Sequence, residues 1–260
     1  WQPLALAGDR NLQLNIGIMY AEGLGVVQDY REAAKWYRLS AEQGAPQAQF
    51  NLGILYLQGQ GIEQNHVEAA KWHLMAAEQG FTNARRNLAS FYEEGLGVRQ
   101  DFAKAIKWYR LAAGQGDVGS MINLDVLYAK GLTDLIGQEE ADEWLLMAAK
   151  QGSTLAQSKV GARYIQRQEY SEAIKWVRLA AEGGFANAQH NLGSLHRLGQ
   201  GVLQDNVLAQ MWYNVASING ASTAAAWRDK LAGLMTNADI SKAQAMAREC
   251  MQSGYTKCGY

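Results

Sequence analysis

The stretch that decides the fold is Ala33-Ala34-Lys35-Trp36-Tyr37-Arg38-Leu39-Ser40-Ala41-Glu42-Gln43-Gly44. It returns with few changes at residues 69–80 and 105–116. Its tryptophan recurs every 36 residues, apart from one step of 32, at Trp36, Trp72, Trp108, Trp144, Trp176 and Trp212. A period of this length that stays in phase along the chain indicates a repeat protein.

Each repeat divides into two segments of helical character. In the second repeat Ala48, Leu52, Leu55 and Tyr56 have the spacing i, i+4, i+7, i+8, which places them on one face of a first helix. The quoted stretch is the second helix, with small residues that permit close packing and large aromatic residues that fill the remaining space. The sequence therefore predicts helix-turn-helix units.

A Gly-x-Gly loop and a capping residue separate the two helices. Gly23 and Gly25 form the first of these loops, and the first glycine of each pair suits the left-handed conformation that ends a helix. The expected N-caps of the second helices are Asp29, Asn65, Asp101 and Asp205. Since neither helix can bury its apolar face alone, consecutive pairs must stack into a curved, all-α superhelix with a concave and a convex side.

These motifs resemble the Sel-one-like repeat family, a relative of the tetratricopeptide repeats. The resemblance rests on Leu52-Gly53-Ile54-Leu55-Tyr56, on the Gly-x-Gly-Val loops, on Ala-x-x-Trp-Tyr and on the Ala-Ala-x-x-Gly endings. It implies a right-handed α/α superhelical solenoid whose first helices line the concave side. It also implies an adaptor that assembles protein complexes, bacterial and in many cases exported.

The repeats set the expected domain limits. Residues 11–220 form six repeats, and residues 1–10 are expected to be the end of a truncated N-terminal repeat. Residues 221–260 leave the pattern and are expected to supply capping helices and a tail, because the end of a solenoid exposes an apolar face.

Composition and motifs point away from several function classes. The formal net charge is −1 and no apolar run approaches the ~20 residues of a membrane span, so neither nucleic-acid binding nor a transmembrane segment is expected. Ser-x-x-Lys, Gly-x-Ser-x-Gly, His-Glu-x-x-His and zinc-type Cys/His spacings are missing. We expect no cofactor, no metal and no catalysis; the alternative is a hydrolase that acts on cell-wall or β-lactam substrates.

The expected concave stripe of the first helices supplies the candidate binding site. It combines repeated asparagines with neighbours that vary from repeat to repeat, as recognition of a protein or an extended peptide requires. The candidate partner-binding residues are Leu14, Asn15, Ile18, Phe50, Asn51, Ile54, Arg86, Asn87, Ile122, Asn123, Val126 and His190. Two alternatives stay open: the asparagines serve to bind the neighbouring repeat's loop, and the apolar residues are half-buried by curvature.

Two local features remain. Cys250 and Cys258 flank the turn signal Ser253-Gly254 and are expected to form a disulfide, which favours a periplasmic or secreted protein; two free thiols in the cytoplasm are the alternative.

Repeat five lacks four residues of the usual loop, and repeat four carries Asp125 at a small-residue position. These departures indicate either a specialised segment or local drift, with Asp125 bonded to Lys159 or Arg163.

Overall fold

The regular structure is entirely α-helical among the residues that the structure, a computed structural model, describes: Ala5 and residues 8–259. The chain divides into two compact units, Trp1–Gln138 and Glu139–Tyr260. The helices whose bounds begin in the first unit are α1 (Arg10–Glu22), α2 (Tyr30–Glu42), α3 (Pro46–Gln58), α4 (His66–Glu78), α5 (Thr82–Glu94), α6 (Phe102–Ala113), α7 (Val118–Ala129) and α8 (Gln138–Lys150), the last of which crosses into the second unit. The second unit continues with α9 (Thr154–Gln166), α10 (Tyr170–Glu182), α11 (Ala186–Leu198), α12 (Asn206–Ile218), α13 (Ala224–Ala232) and α14 (Asn237–Gln252).

Consecutive helices pack against each other within each unit. In the first unit the chain of contacts runs from α1 to α7, each helix packing on the next. In the second unit α9 packs on α10, α10 on α11 and α11 on α12, while α13 and α14 both pack on α12. The predicted all-α fold of stacked helix-turn-helix repeats is confirmed within each unit.

Helix ends follow the predicted loop chemistry. Gly23 ends α1 with φ +72° and donates its N–H to the Met19 carbonyl. Asp29 caps α2 by accepting from Arg31 N and Glu32 N, and its own N–H closes the loop on the Tyr20 carbonyl at 2.9 Å. The other three expected N-caps also accept backbone N–H groups with their side chains, so the N-cap predictions are confirmed.

The second glycine of a loop lies directly on the preceding repeat. A Cβ atom added to Gly97 would lie 2.1 Å from the His66 carbonyl oxygen, at the start of the previous second helix. Gly61 makes the same approach to Tyr30, and Gly201 to Tyr170. The backbones come too close for any side chain, so these glycines fix the stacking distance.

Buried glutamines add hydrogen bonds between repeats, which the sequence analysis did not anticipate. Gln49, 1% exposed, donates to the Ala41 carbonyl at 3.1 Å and accepts from Gln79 at 2.8 Å. Gln157 and Gln189 donate in the same way to Ala149 and Ala181. Each glutamine gives a second donor to a carbonyl at the end of the preceding second helix, which also accepts a backbone N–H of the following turn, as Ala41 does from Gly44 at 2.9 Å.

The last two helices cover the apolar side of α12. Trp227 and Met235 pack on the cluster that contains Tyr213 and Leu231. From α14, Ala243 and Ala247 join the large core cluster of the second unit. The predicted end of a truncated repeat over residues 1–10 falls largely outside the described residues.

The close approach of the loop glycines gives the first prediction. Gly97→Ala should destabilise the protein far more than Gly116→Ala, because both have positive φ but only Gly97 abuts a backbone. We expect about 1–2 kcal/mol for Gly116→Ala and at least twice that for Gly97→Ala, measured as the free energy of unfolding in urea. Equal losses would show that the glycine contact does not set the stacking.

Candidate protein-interaction surface

The predicted partner-binding residues lie along the first helices, and we call this set the A face: Leu14, Asn15, Ile18, Phe50, Asn51, Ile54, Arg86, Asn87, Ile122, Asn123, Val126 and His190. Asn15 is exposed and the other members are half-buried. Every member thus retains some accessible surface, but the apolar ones also pack against the protein.

The apolar members differ in how far they serve the core. Phe50 lies 5.2 Å, between ring centroids, from both His73 and Phe81, so it fills space between repeats. Leu14 and Ile18 pack on the core cluster of the first two repeats. These contacts agree with the half-buried alternative, and they make Phe50 a supporting residue rather than an exposed anchor.

Two of the asparagines bind a tyrosine of the preceding second helix. Asn51 hydrogen-bonds the hydroxyl of Tyr37, whose pKa burial raises to about 12, and this hydrogen bond opposes part of that rise. Asn123 contacts the hydroxyl of Tyr109 in the same way. The partner of each amide is therefore a helix side chain, whereas the sequence suggested a loop.

Tyr109 stands at the centre of a larger polar network. Its buried hydroxyl donates to Glu93 Oε2 at 2.9 Å, and the other oxygen of Glu93 accepts from Lys130 at 2.7 Å. Burial is the main reason that the pKa of Tyr109 is raised, and the adjacent Glu93 carboxylate raises it further. The tyrosine is held as a neutral donor at the base of the A face.

Arg86 forms an ion pair with the N-cap of the next repeat. Its guanidinium lies 2.7 Å from Asp117, which also caps α7 by accepting from Ser120 N. Because this ion pair links the two repeats, Arg86 has a structural role that its place in the sequence did not reveal.

His190 belongs to the second unit. Its ring centroid lies 5.5 Å from that of Tyr213, and burial lowers its pKa, while a hydrogen bond with Asn191 acts in the opposite direction. The imidazole is half-buried and packs in this position as a neutral ring.

A family model named Sel1 repeat matches residues 12–44, 46–81, 82–117, 126–153, 155–185 and 186–220. The chain belongs to the Sel1 repeat family. This confirms the predicted family, whose members are typically non-catalytic protein-interaction scaffolds. The chain matches no curated protein sequence.

Several solved Sel1 structures are similar to this chain. A Sel1 repeat protein of Oxalobacter formigenes is 31% identical, with a TM-score of 0.64, over 80% of this chain and 85% of its own. A protective antigen of uropathogenic Escherichia coli displaying an SLR fold is 26% identical, with a TM-score of 0.44, over 96% and 71% of the two chains. A Sel1 repeat protein of Klebsiella pneumoniae is 20% identical, with a TM-score of 0.43, over 89% and 97%.

Neither a metal-binding cluster nor a membrane-spanning helix is found within the described part of the chain. No group of three or more His, Cys, Asp or Glu residues could hold a metal ion among those residues. No helix over the same residues is both long and apolar enough to cross a membrane.

The interface between Sel1 repeats four and five replaces an apolar contact by ions. Ala70 and Phe91 share a core cluster in the earlier repeats, and the residues 72 positions later are Asp142 and Arg163. Asp142 forms ion pairs with both Arg163 and Arg167, and all three line a cavity of about 140 Å³. Asp125, in the first unit, is buried.

His73 is a buried imidazole at a position where three of the other Sel1 repeats have tyrosine. It is fully buried, and neither ring nitrogen has a hydrogen-bond partner within the described residues. Burial lowers its pKa to about 4, because the charged form would lose its hydration. His73 therefore has a packing role, and its ring contacts Phe50 and Phe91.

The depressed pKa of His73 predicts a stability that depends on pH. Between pH 6.5 and about pH 4 the unfolded chain binds a proton at His73 that the folded chain does not, so stability falls as pH falls through this range. From pH 7 to pH 5 the loss from this residue should be about 2 kcal/mol. His73→Phe should remove that part of the slope, measured by urea unfolding at both pH values. Parallel slopes for the two proteins would contradict the assignment.

Proposed function

We propose that this Sel1 repeat protein is a non-catalytic adaptor that binds a peptide or a partner protein on the A face. The observation that carries the proposal is that variable side chains recur at one accessible position in every repeat. This position is half-buried in all six repeats, and it is occupied by Ile18, Ile54, Ser90, Val126, Ala162 and Ser194. Variation at an accessible position suits recognition, since the side chains can match a particular partner.

The second helices show the opposite pattern on their outward side. A lysine recurs there in four of the six repeats, and in three of them it pairs with a glutamate three residues earlier: Lys35 with Glu32, Lys71 with Glu68 and Lys175 with Glu172. Such exposed pairs contribute little energy and are typical of a solvated face. The exposed apolar residues of the second helices alternate only between leucine and methionine, at Leu39, Met75, Leu111, Met147 and Leu179. Variation between polar and apolar side chains is therefore a feature of the first-helix position.

The first unit offers an apolar area for a partner. Leu14, Ile18 and Ile54 are each partly accessible, and Asn15 is an exposed amide with donors and an acceptor for a peptide backbone. Phe50 supports this area from within through its contacts with His73 and Phe81. Burial of partly accessible aliphatic side chains beside a polar amide is the usual arrangement of an interface core and its rim.

Substitution on the A face tests the proposal. The partner would be captured from the native organism, purified, and titrated by isothermal calorimetry. Ile18→Glu with Ile54→Glu should weaken binding by at least about 10-fold, because two charges would be buried against the partner. Leu39→Glu, on the outward side of α2 and 41% exposed, is the matched control and should bind normally.

Circular dichroism must show equal helical content for all these variants. Unchanged binding by the double variant would reject the A face, and loss with Leu39→Glu alone would move the site to the second helices. Robust turnover of β-lactam or peptidoglycan substrates by the purified protein would overturn the adaptor proposal in favour of a hydrolase.

We also propose that the protein functions in an oxidising compartment, the periplasm or beyond. In support, Cys250 and Cys258 are joined by a disulfide with a Cα–Cα distance of 4.5 Å, and both are buried. The loop that the disulfide closes carries Tyr255, whose hydroxyl accepts from Asn219 at 2.8 Å at the end of α12. Disulfides of this structural kind persist mainly outside the cytoplasm.

A thiol titration checks the compartment. Protein taken from native cells with an alkylating reagent present and then unfolded should show no free thiol before reduction and two afterwards, matching its two cysteines. Two alkylated cysteines in the unreduced sample would contradict export. A Cys250→Ser, Cys258→Ser variant gives the background of the titration.

A further inference from the structure

Two cations share one indole ring at the C-terminal end of the second unit. The guanidinium carbon of Arg197 lies 4.5 Å from the ring centroid of Trp227, and the ammonium nitrogen of Lys230 lies 4.9 Å from it. Arg197 comes from α11, and the other two residues come from α13. The indole of Trp227 is thus contacted by both a guanidinium and an ammonium group.

At this end of the chain, Trp227 and Arg197 occupy positions that hold other residues in the earlier repeats. Asn51 follows Tyr37 by 14 residues and Asn123 follows Tyr109 by the same interval, and each asparagine binds its tyrosine. The residue 14 positions after Tyr213 is Trp227. In repeat three the Tyr109 hydroxyl binds Glu93 of the first helix as well as Asn123, and in repeat six Arg197 occupies the position of Glu93.

The buried Tyr213 hydroxyl accordingly binds side chains of α11. It lies 3.0 Å from Ser194 Oγ and accepts from Arg197 Nε at 3.3 Å. Arg197 is therefore positioned by a hydrogen bond as well as by the indole. A guanidinium fixed at two points has lost much of its freedom before any ligand binds, which lowers the entropic cost of binding.

The charges of this cluster are not balanced within the part of the chain that the structure describes. Neither Arg197 nor Lys230 forms an ion pair there, and the adjacent Asp229 is paired with Arg228 at 2.8 Å. Two like charges on one ring repel each other, although each is attracted to the indole. An anion bound beside the ring would relieve this repulsion.

We infer that Arg197, Lys230 and Trp227 bind the carboxylate of an acidic side chain in an extended partner peptide. The inference rests on the proposed adaptor function and names the chemistry of the partner segment. His190 and Ser194 lie on the same stripe of α11 as Arg197, so neutral hydrogen-bonding groups adjoin the charged ones. Arg197 offers paired donors to a carboxylate, Lys230 offers a mobile charge, and the indole provides a surface for the aliphatic stem.

The charge distribution favours an acidic peptide over a polyanion such as nucleic acid. The whole chain has a formal net charge of −1, so it lacks the broad positive field that phosphate backbones require. Two cations beside an aromatic ring and neutral polar groups suit one or two carboxylates among uncharged neighbours.

Fluorescence anisotropy with a defined probe tests the inference on the full chain. The probe is a fluorescein-labelled decapeptide of alternating alanine and glutamate, and its matched control contains glutamine in place of glutamate. The glutamate peptide should bind at least about 10-fold more tightly than the glutamine peptide, as expected for charge-assisted hydrogen bonds. Equal affinities would overturn the inference.

Variants locate the binding. Lys230→Glu changes an exposed side chain, so it should leave folding intact, and it should lower the affinity for the glutamate peptide by at least about 10-fold. Arg197→Gln should do the same, whereas Arg197→Lys should retain part of the affinity. Lys175→Gln removes a cation that is already paired with Glu172 and should change the affinity less than about 2-fold.

The outcomes separate this inference from the proposed function. A loss with Lys175→Gln as large as with Lys230→Glu, or displacement of the probe by equimolar tripolyphosphate, would show general anion binding and overturn the inference. If Lys230→Glu bound the captured partner normally while Ile18→Glu with Ile54→Glu did not, this inference would fail and the adaptor function would stand. Loss of partner binding with Lys230→Glu, and its recovery when a captured acidic segment is changed to lysine, would support both.

Discussion

The structure depends on the backbone contact between the Gly-x-Gly loops of repeats two, three and six and the repeat that precedes each of them. Gly61, Gly97 and Gly201 lie against the first turn of the previous second helix, where the distance to that backbone admits no side chain. The contact sets the spacing at which first helices meet second helices, so that small residues can face large ones and buried glutamines can reach carbonyls of the neighbouring repeat. A hairpin without this neighbour would expose the apolar face that the stack buries.

The fold could be predicted from the sequence because each structural repeat corresponds to a sequence repeat of nearly constant length. Trp36 and its equivalents, together with the capping aspartates, repeat at fixed intervals, and local rules connect each of them to a helix or to a helix end. The site was harder to predict. Phe50 and Arg86 are accessible in a helical projection, but Phe81 and Asp117, which contact them, come from the next repeat. A pattern along one helix does not show which of its residues a neighbouring repeat will engage.

The tyrosine of the second helix links the structural and recognition roles of the A face. Tyr37 and Tyr109 hydrogen-bond the asparagine that follows 14 residues later, so two of the repeated asparagines have a structural role. Where the tyrosine or the asparagine changes, the local hydrogen bonding changes with it. His73 leaves a buried imidazole with no hydrogen-bond partner among the described residues, and Trp227 leaves the Tyr213 hydroxyl with Ser194 and Arg197 of the first helix as its partners. The residues that depart from the repeat thus create the local chemistry that the repeat itself lacks.

The shortened loop of repeat five also changes the local chemistry, at the contact between α8 and α9. Residues 95–101 join α5 to α6, and Leu96 and Val98 from that loop pack on the cluster of Ala69, Ala70 and Phe91. Only residues 167–169 join α9 to α10, so no such apolar cover is available for the equivalent part of α8. A half-exposed position suits charges better than alkyl groups, and it carries the Asp142–Arg163 and Asp142–Arg167 pairs beside a cavity. The deletion, the ion pairs and the cavity are therefore one coupled change: loss of the loop exposes the contact, and solvent then makes an ionic contact tolerable there.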